Sequence, residues 1–273
     1  MPSEHAPETI EGWYALHQIF TADRAALRAE APTSLDYMRD RAAATLGELA
    51  SSGGEGWSAV VPLVGSAADI MLVHFRPTLD ELGDAQRAVS REPLFDLMRP
   101  VYTFLSVTEA GLYHASAQLA SDAEARGGSV GDEQYQTQMA ERVGAERKSA
   151  QVRKRLFPVL PSEMPYVCFY PMSKRRDAEQ NWYTLPLEER SRLMQAHGLT
   201  GRRYAGRIVQ VITGAIGLDS WEWGVTLFAR DPLDFKKLVT EMRFDEVSAK
   251  YAEFGDFYVG RVRSPEEWLA SLP

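Results

Sequence analysis

Residues 12–20 read Gly-Trp-Tyr-Ala-Leu-His-Gln-Ile-Phe, a stretch rich in aromatic and β-branched side chains that predicts a strand. Leu35, Met38, Ala42, Leu46 and Leu49 then recur at intervals of three and four, the period of an amphipathic helix over 35–52, and the pattern stops at Gly53-Gly54. WSAVVPLVG and DIMLVHF lie on either side of Gly65-Ser66, which predicts a hairpin. TLDELGDAQRAVS predicts a second helix, with Thr78 placed to cap it and Asp80 and Glu81 in the first turn, where the helix dipole favours negative charge. VYTFLSVTE at 101–109 closes the series with a strand.

The same order returns about 150 residues later. PYVCFYPM (165–172) predicts a strand, LEERSRLMQAHG (187–198) a helix, RIVQVITG and WEWGVTLFA a hairpin across Ile216-Gly217, PLDFKKLVTEM (232–242) a helix and DFYVGRV (256–262) a strand. Each half is therefore a β-α-β-β-α-β unit, the ferredoxin-like arrangement, with helices on one face of an antiparallel sheet and the other face bare. Burying the two bare faces against each other predicts an α+β fold in which two tandem ferredoxin-like repeats form a barrel of the dimeric α+β type, around a cavity or a core. The expected organisation is an N-terminal half over 1–113, a helical connector over 114–164 and a C-terminal half over 165–273.

The lone Cys168 excludes a disulfide framework and fits a reducing cytoplasm. The N-terminus lacks a basic segment followed by an apolar run, and no apolar run reaches membrane-spanning length, so a chain that is neither exported nor membrane-inserted is expected. Charge is unevenly distributed. Residues 1–150 carry 12 Lys and Arg against 22 Asp and Glu, whereas 151–207 carry 11 against five. A local basic excess in an acidic chain points to a small anionic ligand rather than to nucleic acid, with a solvated surface as the plain alternative.

Motif-borne chemistry is sparse. There is no HExxH, CxxC, EF-hand, GxSxG, Walker A or GxGxxG pattern. Of the five histidines, His5 lies in the tail, His17 and His74 in strands, His114 at the connector and His197 beside Gly198, the expected C′ residue of its helix. A single histidine suffices for haem iron, although a histidine at a helix C-terminus also has a purely structural reading through the dipole. Cys168, Tyr170, Met172 and Lys174 alternate along one strand face; Tyr170 and Lys174 on either side of Met172 read as a pocket wall, and Cys168 as a buried, inert thiol.

YPMSKRR (170–176), NWYTLPLEERSRLMQAHG (181–198), GRRYAGRIVQVITG (201–214), DSWEWGVTLF (219–228) and EMRFDEVSAKYAEFGDFYVG (241–260) together resemble the haem-dependent chlorite dismutase family, and within it the coproheme decarboxylases, hydrogen-peroxide-dependent haem synthases. The resemblance covers 165–262 and extends weakly into GWYALHQIF and YTFLSVTEAGLY. It implies the same double ferredoxin-like barrel, assembled as a homopentamer. It places the iron ligand at His197, a redox-active tyrosine at Tyr170 and a lysine beside the same propionate at Lys174. Met172 and Gln210 fall on pocket positions, Gln210 where chlorite-degrading members carry a distal arginine. Arg243, Ser248 and Arg155 fall on propionate partners. The acceptor for the second nitrogen of His197 stays open, with Glu246 one candidate.

The activity so implied is oxidation of two propionates of iron coproporphyrin III to vinyls, giving haem b, with the porphyrin as both substrate and cofactor and hydrogen peroxide as oxidant. A tyrosyl radical at Tyr170 would abstract a propionate β-hydrogen, and Lys174 would neutralise the carboxylate or handle protons. Transient contact with a coproporphyrin ferrochelatase is a further implied partner. The rival readings are a chlorite dismutase or other haem peroxidase of the same fold, and a non-enzymatic haem-binding protein.

Overall fold

The computed structural model describes residues 6–51 and 55–272, so His5 and the glycine pair Gly53-Gly54 lie outside the described residues. The N-terminal repeat comprises β1 (Thr9–Ala22), α1 (Arg24–Ala29), α2 (Pro32–Ala50), β2 (Trp57–Pro62), β3 (Ile70–Arg76), α3 (Leu79–Ser90) and β4 (Met98–Gly111). The connector consists of three helices, α4 (Tyr113–Ala125), α5 (Glu133–Lys148) and α6 (Ala150–Leu156). The C-terminal repeat follows: β5 (Tyr166–Lys174), a small hairpin of β6 (Arg176–Asp177) and β7 (Gln180–Asn181), then α7 (Leu187–Arg202), β8 (Ile208–Gly214), β9 (Trp223–Ala229) and α8 (Leu233–Arg243). It ends with α9 (Glu246–Tyr251), β10 (Ala252–Phe254), β11 (Tyr258–Arg261) and α10 (Pro265–Leu269). Thr78 caps α3 in a full capping box with Glu81, as its spacing predicts. Among the described residues no helix is long and apolar enough to cross a membrane.

Within each repeat the strands pair in the ferredoxin-like order, β4-β1-β3-β2 in the first and β10 or β11-β5-β9-β8 in the second. The repeats join edge to edge. Val107 and Thr108 of β4 pair with Gly214 and Thr213 of β8, and on the opposite side Val60 bridges Arg263 and Leu63 bridges Gly260. The two repeats thus close into one barrel, as the repeat predicts. The closure depends on a glycine, because a Cβ on Gly260 would stand 2.2 Å from the carbonyl oxygen of Pro62.

The barrel is filled rather than hollow. Trp57, Phe75, Phe104, Phe169 and Phe228 are buried in its interior cluster, and His17 stacks on Phe169 at 4.0 Å while its Nε2 lies 2.9 Å from the Thr226 hydroxyl. Outside, Leu35, Ala42 and Leu46 of α2 pack against Ile70 and Leu72. On the other repeat, Phe235 and Leu238 of α8 pack against Cys168, Tyr170 and Leu227. The face that carries Cys168, Tyr170, Met172 and Lys174 is therefore the helix-covered outer face of the sheet, and the alternate residues Val167 and Phe169 point into the barrel.

The helix carrying His197 differs from expectation. Gly198 is not its C′ residue: α7 continues to Arg202, which puts His197 inside the helix. A glycine in a helix costs only about 1 kcal/mol relative to alanine, which burial of the following turn at Thr200 offsets. The left-handed glycine of this segment is Gly206, with φ of 81°.

Candidate functional site

Asp245 caps α9, and its Oδ2 accepts the Ser248 amide at 3.4 Å and the Nδ1–H of His197 at 2.7 Å. With the carboxylate 7% exposed, this hydrogen bond orients the imidazole and leaves Nε2 as the nitrogen that could hold a metal. That donor set suits an iron porphyrin: one imidazole on a helix, oriented by a buried carboxylate behind it. Glu246, one candidate for the role of acceptor, instead pairs with Lys250 at 2.8 Å and Arg192 at 3.4 Å. Asp245 was the residue missed from sequence; its only local signal is the Asp-x-x-Ser spacing that opens a helix.

The sheet side of the site is aromatic. The Tyr170 ring stacks on Phe257 at 4.4 Å and leans on Phe254 at 5.8 Å, and the Arg243 guanidinium lies 3.9 Å above the Phe254 ring. Burial raises the Tyr170 phenol above its ordinary range, a shift that Cys168 reinforces and Arg243 opposes. Two positions farther along the same face, Met172 is half-buried and pairs with Phe254 in the ladder. Lys174 ends the row, buried, with Nζ 4.7 Å over the Trp182 ring. Burial brings its ammonium down to about 8, against the opposing pull of Asp245 and Glu222. Glu222 also accepts the Lys174 main-chain amide at 2.7 Å, which ties the strand end to the β8–β9 connection. Burial pushes the Cys168 thiol up to about 12, as an inert core thiol requires.

Gln210 stands exposed on β8, opposite Leu227 in the ladder and next to α7, since a Cβ on Gly201 would lie 3.8 Å from its Oε1. The structure thus gathers His197 and Ser248 about Asp245, and Tyr170, Met172, Lys174 and Arg243 along β5 and the aromatic pair beside it. Arg155 stands apart by element. It is exposed on α6, which packs on β1, β4 and α5. Part of the basic excess is taken up by neighbouring acids: Arg176 by Glu222 at 3.9 Å, Arg192 by Glu189 at 2.6 Å, Arg203 by Glu241 at 3.5 Å and Arg207 by Asp234.

A closed barrel of two ferredoxin-like repeats, with a carboxylate-backed histidine on one helix and an aromatic row on the outer face of the same repeat's sheet, suits a porphyrin-iron protein. The chain belongs to the chlorite dismutase family, whose pattern it matches over residues 39–263. A haem-binding protein from Thermus thermophilus is 38% identical and superposes with a TM-score of 0.82, over 100% of this chain and 98% of that one. A mutant chlorite dismutase from Candidatus Nitrospira defluvii shares the fold at 18% identity, with a TM-score of 0.71 over 96% of both chains.

Proposed function

We propose that this protein binds iron coproporphyrin III through His197 and oxidatively decarboxylates two of its propionates to vinyl groups, using hydrogen peroxide and yielding haem b. The observation that carries this reading is the row on β5: an oxidisable phenol, Tyr170, and a buried amine, Lys174, on the same helix-covered face, with Lys174 lying over Trp182, which clusters with Leu193 of the histidine helix. A chlorite-degrading site calls for a fixed cation over the reacting oxygen, and Gln210 supplies only a neutral amide. Membership of the family and the likeness to a haem-binding protein support the porphyrin part of the reading.

In this proposal the bound iron porphyrin, on reaction with peroxide, supplies the oxidising power. His197 holds the ligand from the helix side, and Asp245 keeps Nδ1 protonated. Tyr170, protonated at rest because burial raises its pKa, gives up an electron together with its phenolic proton. The resulting phenoxyl oxygen takes a hydrogen atom from the propionate β-carbon. Each propionate loses in all one carbon dioxide, one proton and two electrons, and one peroxide takes up the electrons. Lys174, close to neutrality at about 8, binds the carboxylate as ammonium and can release or take back a proton. Arg243, anchored on Phe254, adds a second positive charge beside the tyrosine.

The direct test is to mix the protein with iron coproporphyrin III and peroxide and follow porphyrin mass. Two successive losses of a carboxyl group are expected, and Tyr170→Phe should retain binding while losing decarboxylation by at least about a hundredfold, the scale of a lost catalytic group. Near wild-type haem b formation by Tyr170→Phe would remove the tyrosine from the reaction. Sustained oxygen release from chlorite would favour a chlorite dismutase instead.

A further inference from the structure

The proposed reaction has a proton deficit. Reducing one peroxide to two waters takes two electrons and two protons, whereas each propionate, leaving as carbon dioxide, supplies two electrons and one proton. A second proton must therefore enter from outside the propionate. Gln210 is a neutral amide with no acidic proton to give. Tyr170 recovers from the β-carbon the hydrogen that it loses, and Lys174 is needed as ammonium by the carboxylate.

Ladder pairing shows where a further acid lies. Tyr170 of β5 pairs with Val225 of β9, which pairs with Ile212 of β8; in the next row Met172 pairs with Trp223, which pairs with Gly214. These positions lie on the outer face, because the alternate residues Phe169, Val211 and Phe228 belong to the core inside the barrel. Gly214 pairs in turn with Val107 of β4, across the junction of the repeats. Glu109, two residues on from Val107, reaches back over that glycine, and its Oε1 accepts the Trp223 indole N–H at 2.9 Å. A Cβ at position 214 would stand 2.8 Å from the Glu109 carboxyl carbon, so the glycine provides the space in which the carboxyl group lies. Beside it Ile212 is 45% exposed and Gln210 is exposed, which leaves this stretch of the face open. The histidine helix borders the same stretch: Gly201, one turn beyond His197 on the same side of α7, is the point at which the helix meets Gln210.

The surroundings favour the acid form of this carboxyl group. Burial raises it above the ordinary range; the Trp223 N–H opposes the shift and Glu11 on β1 adds to it. On α4, Tyr113 feels its charge together with those of Arg190 and Glu222.

We propose that Glu109 is the acid of this site, delivering the second proton to a peroxide oxygen and recovering it from solvent. The inference rests on the decarboxylase reading and adds to it the residue that closes the proton balance. With the propionate ionised, each step consumes one peroxide and one proton and forms a vinyl group, one carbon dioxide and two waters. The proton passes from the Glu109 carboxyl to oxygen, the bonding pair stays on the carboxylate, and the Trp223 N–H stabilises the charge so formed. No electron passes through Glu109.

The test uses Glu109→Gln, which keeps the shape and can still accept the indole N–H but has no acidic proton. Binding of iron coproporphyrin III should stay within about twofold of the wild type, while haem b formation with peroxide, followed by porphyrin mass, should fall about a hundredfold, the lower end for a proton-transferring group. Glu109→Ala should be slowed alike and should recover rate saturably with added formate, which should do nothing for Tyr170→Phe. In the ligand-free protein, carboxyl-carbon NMR should show one glutamate resonance, missing from Glu109→Gln, that titrates above the ordinary value of about 4.3 and moves further up in Trp223→Phe. Absence of haem b from the wild type would remove the decarboxylase reading and this proposal with it. Haem b formation by Glu109→Gln within about twofold of an active wild type, or a Glu109 resonance titrating at or below about 4.3, would overturn the proposal alone.

Discussion

At the scale of single residues, Lys174 is the group whose chemistry the fold adjusts most usefully. An exposed lysine titrates near 10.4; burial brings this one to about 8 while Asp245 and Glu222 keep it from falling further. If its ammonium receives a propionate, kcat/KM for iron coproporphyrin III should decline as pH rises through about 8, because deprotonation removes the cation from the free enzyme. Lys174→Arg, cationic at every accessible pH, should lose that alkaline limb whatever its absolute rate. A wild-type profile without an inflection between about pH 7 and 9 would show that the lysine charge is not used. Lys174 was legible in the sequence because strand alternation puts it on the face of Tyr170. Asp245 was not, since it lies 48 positions from His197, and only the turn from α8 into α9 brings the two together.

Among the elements, length decided most of what was legible, with the four-residue β11, read from DFYVGRV, as a short exception. β1, α2, the two hairpins and α3 have enough residues for the period of their side chains to show. By contrast α9, β10 and α10 span six, three and five residues, too few for a period to separate from chance. Two glycines of opposite character test the element boundaries. A Cβ on Gly198 would meet only the Arg202 guanidinium, at 3.8 Å, and the position is helical. Gly198→Ala should therefore stabilise the ligand-free protein by about 0.5–1 kcal/mol. Gly260→Ala would instead drive a methyl group into the Pro62 carbonyl at the barrel seam and should destabilise by about 1–3 kcal/mol. Urea denaturation of both variants checks the pair. Equal effects of the same sign would contradict the placement of one glycine in a helix and the other at a backbone contact.

For the molecule as a whole, the internal repeat revealed two ferredoxin-like units forming one barrel but not the residues at which their edges join. Sheets stacked face to face and sheets joined edge to edge both bury Val167, Phe169 and Phe228, so hydrophobic patterning cannot separate them; the decision lies in backbone pairing between residues 107–108 and 213–214 and between β2 and β11. Edge joining places His17 inside the barrel and His74 on the outer side, one residue out of register across β1 and β3, and both rings are fully buried. Burial drives each down to about 3, and His74 lowers His17 further. Unfolded histidine takes up its proton near 6.5, so below that pH the unfolded chain binds protons that the folded barrel refuses. Stability is therefore full above about pH 6.5 and is lost as pH falls toward 3, by roughly 2 kcal/mol for each ring already at pH 5. Most carboxylates titrate lower still, which leaves the interval from about 6.5 to 5 as the window in which these imidazoles act. Urea unfolding across this interval should show a steep loss of stability. His17→Gln, which can still reach Thr226 but does not titrate, should show about half the slope irrespective of its stability at pH 7.5. A stability profile flat from pH 7.5 to 5 would mean that the two histidines accept protons inside the fold, and the barrel interior would then have to be open to water.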